Sequence, residues 1–189
     1  MIPVFPALHI FCVLKWIEAE DMASDHPRRI VLGIGNPDRG DDAAGQAVVR
    51  ILRGVLPLDV EVEEHSGEAT SLLSRLDGVL EAFLVDACNS GAPSGTVQRF
   101  DVVTTPLPKD AFGLSTHGLG VAEAVELGRT LGQLPPRCIV YAIEGDSYEA
   151  GAPLSQPVAA AVADVANRLR SEIAGNGKSG EQAPCMKLR

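Results

Sequence analysis

Apolar residues follow two rhythms along this chain. In residues 29–35 (RIVLGIG), 82–87 (AFLVDA) and 137–143 (RCIVYAI) they run together without polar alternation. That is the pattern of strands buried on both faces. Elsewhere they recur at helical spacing: Ala44, Val48, Ile51 and Leu52; Val121, Val125 and Gly128; Val158, Val162, Val165 and Leu169. Asp41, Thr116 and Ser155 stand where N-caps of these three helices belong, and Pro157 suits the first turn of the last. Residues 59–64 alternate apolar and acidic side chains, which predicts a half-exposed edge strand, and residues 68–76 read as a short helix. Residues 95–101 follow a Gly/Pro/Ser turn, and so short a link predicts a hairpin-like antiparallel neighbour. Residues 102–116 contain two prolines and read as a long loop, a kind of segment that is often functional.

Strands alternating with helices predict an α/β fold, a three-layer sandwich with helices on both faces of a mostly parallel sheet. The sheet is expected to have about five strands, one of them antiparallel. The patterned region is residues 28–174. Residues 1–27 are expected to be a poorly ordered extension and residues 175–189 a flexible tail. The opening MIPVFPALHIFCVLKWI is apolar, but it has no basic n-region, is broken by prolines, and is too short to span a bilayer. The expected setting is therefore cytoplasmic, without a membrane.

Composition narrows the function. With 189 residues and 46% hydrophobic content, the chain can bury a core without staples. Its net charge of −9 disfavours a nucleic-acid partner. Cys12, Cys88, Cys138 and Cys185 form neither a zinc spacing nor a secreted disulfide framework, and are read as reduced thiols.

The most specific stretch is GIGNPDRGDDAAG, residues 33–45. It is not a dinucleotide fingerprint, because Asp38 stands where G-x-G-x-x-G needs its last glycine, so no organic cofactor is expected. The glycines imply a tight backbone turn after the first strand, which Asn36 can hold through its side chain. In sheets of this kind ligands sit beyond the carboxyl ends of the strands. GIGNPDRGDDAAG resembles the hydrogenase maturation endopeptidases, whose first strand runs into G-x-G-N and a D-[DE]-x-x-G helix start. LVDACNSGAPSGTVQRF, LSTHGLGVAEAV and YAIEGDSYEAGAPLSQPVAAAV resemble that family's later segments, in order, over residues 29–173. Asp38, Ala43, Ala44 and the segment around His65 depart from its pattern.

The resemblance implies an endopeptidase, acting as a monomer, that removes the C-terminal extension of a nickel–iron hydrogenase large-subunit precursor. It places the metal-contacting and catalytic residues on Asp42, Asp86 and His117, with nickel supplied by the precursor. Two carboxylates and one imidazole suit a divalent transition metal with open positions. The metal can polarise the scissile carbonyl, or a carboxylate can act as general base on water. Neither G-x-S-x-G nor H-E-x-x-H is present. Two other readings stand beside this one: a non-cleaving nickel-site checkpoint using the same trio, and, ranked lower, a peptidyl-tRNA hydrolase-like enzyme with its own G-x-G-N-P turn. His65, Cys88, Glu144 and Asp146 lie near the expected site; Cys88 is read as a buried inert thiol.

Overall fold

The structure, a computed structural model, describes residues 28–108 and 120–176. Five strands, β1 (Arg29–Ile34), β2 (Val60–His65), β3 (Glu81–Cys88), β4 (Val97–Asp101) and β5 (Arg137–Glu144), form one sheet in the order β2-β1-β3-β5-β4. All neighbours are parallel except β4, which runs antiparallel to β5. A 3-10 turn (Gly40–Ala43) leads into α1 (Ala44–Leu52); α2 (Ala69–Leu76), α3 (Val121–Leu131) and α4 (Gln156–Asn176) follow. The α/β three-layer expectation therefore holds. No described helix is long and apolar enough to cross a membrane.

The apolar runs explain the layers. Successive residues of β1 point to opposite faces, so Ile30, Leu32 and Ile34 join the core under α2 and α3, while Val31 joins the core under α1 and α4. Val158, Val162, Val165 and Leu169 are all buried along α4, as their spacing predicts. On α1 the buried stripe is Ala44, Val48, Val49 and Leu52, whereas Ile51 is 50% exposed. Nine residues of mostly apolar sequence fit two neighbouring stripes, and packing against α4 selects the one through Val49.

Two further expectations are corrected. β4 is antiparallel, but its partner is β5, not β3. β5, buried from Cys138 to Glu144, takes a strand on each side, and the link of residues 89–96 is long enough to step past it. The start of α3 is set by Gly120, whose amide donates to the Glu123 carboxylate at 2.9 Å, rather than by Thr116, which lies outside the described residues. β2 is an edge strand as predicted; Arg28, Arg50, Arg53 and Arg75 pair with its Glu61, Glu63 and Glu64. Such charges blunt an otherwise open edge.

The strand order reverses between β1 and β3, so a crevice is expected where these strands end. The N-terminus of α1 crosses it. A Cβ placed on Gly45 would lie 2.2 Å from the Val85 carbonyl oxygen and 2.3 Å from that of Ile34. Gly45→Ala is thus expected to lower stability by roughly 1–3 kcal/mol, read as a lower denaturant midpoint at unchanged slope. An unchanged midpoint would show that the helix is free to move away from the sheet.

Candidate active site

Asp42 sits in the 3-10 turn after β1, and Asp86 is the third-last residue of β3. The turn packs on β3, which brings the two carboxylates to the same end of the sheet, at the switch in strand order. Their proximity shows in their electrostatics. Burial, and then the negative charge of Asp42, push the Asp86 carboxyl up to about 7, against one hydrogen bond from the Ala87 amide that favours ionisation. Near neutral pH this site therefore holds a carboxyl poised between its two protonation states. Such a group in a crevice is a candidate for acid–base or metal chemistry. His117, the third residue expected here, lies outside the described residues. Among the described residues no cluster of three or more His, Cys, Asp or Glu side chains forms a metal-binding group.

The surroundings of the pair are held by side chains that sequence reasoning did not assign. Asp41 is no helix cap. It is fully buried, and its carboxylate accepts the amides of Asp146 (2.8 Å), Ser147 (3.1 Å) and Ser155 (2.7 Å). Burial raises its pKa, the three amides lower it, and the amides win, so the group stays ionised below the usual carboxylate range. Its own amide donates to the Ser147 carbonyl. The N-cap of α1 is Ala43 instead, with no side-chain cap. Glu144, buried at the end of β5, accepts the Ser90 amide and hydroxyl, the Gly91 amide and the Cys88 thiol. It therefore ties down the loop after Asp86 and does not line an open groove.

Burial, followed by the hydrogen bond and charge of Glu144, pushes the Cys88 thiol far above its ordinary value, so it is a poor nucleophile at neutral pH. His65 closes the end of β2: its Nδ1 accepts the Gly67 amide at 2.9 Å and its Nε2 meets the Ser71 hydroxyl at 3.1 Å. Asn36 holds its turn as expected, Oδ1 accepting the Asp38 amide at 2.9 Å. Gln46, buried on α1, donates to the Gly35 carbonyl at 2.7 Å and fixes the end of β1.

With this geometry in place, comparison with known proteins is informative. The profile of the hydrogenase maturation protease family matches residues 67–172, more than half of the chain. The chain belongs to the hydrogenase maturation protease family. The matched span includes Asp86 and position 117, while Asp42 precedes it. The hydrogenase expression/formation protein HupD of Thiocapsa roseopersicina is 28% identical over 125 residues, 65% of this chain; the match spans 56% of that relative's own length. Among solved structures, the hydrogenase maturating endopeptidase HybD of E. coli is 24% identical with a TM-score of 0.68, covering 79% of this chain and 94% of that one. The [NiFe] hydrogenase maturation protease HycI of Thermococcus kodakarensis is 22% identical with a TM-score of 0.63, covering 83% and 99%. At that identity these structures speak to the fold, which they share with this family member over nearly their whole length.

Proposed function

We propose that this protein is the endopeptidase that removes the C-terminal extension of a nickel-loaded nickel–iron hydrogenase large-subunit precursor. The observation that carries the reading is the carboxylate pair, Asp42 with Asp86, at the switch point of a chain in the hydrogenase maturation protease family. Asp42, Asp86 and His117 would contact the nickel presented by the precursor. The chemistry fits, because a cation beside the two carboxylates offsets both the burial and the Asp42 charge that raise Asp86 to about 7. Nickel bound in the precursor would polarise what it contacts and bring the scissile bond to the pair. Asp86, once ionised, can take the proton from an attacking water and return it to the leaving amide nitrogen. The Cys88 thiol, held protonated, takes no part in that exchange. The partner is thus the hydrogenase large-subunit precursor, the expected state is a monomer, and the expected compartment is the cytoplasm.

The rival is a checkpoint factor that docks on the same nickel without cutting. Incubation with purified nickel-loaded precursor separates the two: loss of the extension, read by intact mass, supports the peptidase, and a stable complex with full-length precursor supports the rival. His117→Ala is expected to slow processing at least roughly 100-fold, while its melting temperature stays close to that of the wild type. Full activity in that variant would remove His117 from the site.

A further inference from the structure

The loop after β5 is fastened to both elements that carry the carboxylate pair. Towards Asp42, the Asp41 carboxylate accepts the Asp146 and Ser147 amides, the Asp41 amide donates to the Ser147 carbonyl at 2.8 Å, and an Arg39 guanidinium nitrogen lies 3.5 Å from the Tyr148 carbonyl oxygen. Towards Asp86, the Cys88 carbonyl accepts two donors from this loop, the Gly145 amide at 2.9 Å and the Tyr148 hydroxyl at 2.7 Å. Cys88 is the last residue of β3, and the one residue between it and Asp86 donates its amide to the Asp86 carboxylate.

The phenol reaches this position only because residue 145 has no side chain. A Cβ on Gly145 would stand 2.3 Å from the Tyr148 hydroxyl oxygen and 2.7 Å from its Cζ. The ring is half-buried, and burial first, then Cys88 and the charges of Glu144, Asp42 and Asp86 around it, push its ionisation well above the ordinary tyrosine value. It therefore remains a hydrogen-bond donor throughout the working pH range.

We propose that Tyr148 is a positioning residue for the peptidase reaction: by clamping the Cys88 carbonyl from a loop bolted to Asp41, it fixes the separation and orientation of Asp42 and Asp86. The inference rests on the proposed peptidase reading for its kinetic consequence, but its geometric content stands apart from it. A misplacement of catalytic groups of about 1 Å is enough to cost up to roughly 100-fold in rate. Loss of a single half-buried hydroxyl, in contrast, costs little stability when the ring remains to fill its space.

Tyr148→Phe keeps that ring and deletes only the clamp. In the full chain with nickel-loaded precursor, it is expected to lower the single-turnover cleavage rate by roughly tenfold or more while the concentration dependence, and hence precursor affinity, changes less than about twofold. A second readout needs no substrate. The chain has two tyrosines, Tyr141 and Tyr148, so carbon-13 labelling at Cζ gives two signals, assigned with Tyr141→Phe. At pH 8 the Tyr148 signal is expected to shift in Asp86→Asn while the Tyr141 signal stays in place. Wild-type cleavage by Tyr148→Phe overturns the proposal, as does a Tyr148 signal indifferent to Asp86→Asn. If the wild-type protein cleaves no precursor, the peptidase reading fails, and the Tyr148 signal alone then decides whether the clamp faces the pair.

Discussion

At pH 8, metal-free Asp86→Asn is expected to melt at a higher temperature than the wild-type protein, although it loses precursor processing by a factor of about 100 or more. The sign follows from linkage. The Asp86 carboxyl is raised from 3.8 to about 7 in the folded chain, by burial first and by the Asp42 charge second. Between those two values the folded state keeps a proton that the unfolded state has released. The group's contribution to stability is therefore undiminished below 3.8, falls as pH rises towards 7, and is fully lost above it. Asparagine keeps the acceptor for the Ala87 amide and carries no charge, so it escapes the penalty. The gain is on the order of 1–4 kcal/mol above pH 7, the lower part of that range allowing for solvent screening at a partly exposed site. Melting curves of both proteins at pH 4.5 and pH 8 test this. The advantage of the variant should be small at the lower pH and grow at the higher. A constant offset, or a less stable variant at pH 8, would mean that the Asp86 carboxyl is not raised in the folded chain.

Asp41 presents the opposite case. Its removal is expected to cost about 3–5 kcal/mol in Asp41→Ala, because three backbone amides lose their acceptor inside the protein. Asp41→Asn should lose less, since one oxygen remains to accept. Here the folded pKa is depressed, so the carboxylate's stabilising contribution is fully present above the unfolded value of 3.8, starts to fall below it, and is lost only as pH drops through the lower folded value. Denaturant midpoints at pH 7 and pH 3.5 measure both effects. A loss under about 1 kcal/mol at pH 7 would show that the loop of residues 145–155 finds other acceptors, which would also undercut the role of that loop in holding the carboxylate pair.

The contrast between these two adjacent aspartates shows how far the sequence could be read. Strands β1, β3 and β5 were legible because each is apolar without alternation, and the stripe on α4 because four residues repeat at helical spacing over more than two turns. The carboxyl ends of those strands then indicated where a ligand would sit, and the family resemblance, not the pattern, singled out Asp42 and Asp86 there. Asp41 was misread as a cap because its hydrogen-bond partners lie more than 100 residues away, and local spacing carries no trace of them. Glu144 was placed near the site but its anchoring role was not legible, and Tyr148 was missed, for the same reason: each acts on the chain around Cys88 from more than 50 residues away. The pairing of β4 with β5 was hidden too: a short link announces an antiparallel strand, but not which strand arrives later to lie between. On α1, nine residues were too few to separate the stripe through Val49 from the one through Ile51. For His117 the sequence remains the sole guide, since it lies outside the described residues.

Nickel dependence tests the central claim most directly. The peptidase is treated with a chelator and desalted, then offered nickel-loaded and nickel-free precursor side by side, with release of the C-terminal extension followed by mass. A site that reads nickel through Asp42, Asp86 and His117 will cleave the loaded precursor at full rate and leave the nickel-free one intact. Equal cleavage of both precursors, or activity lost on chelation and restored by zinc alone, would contradict it.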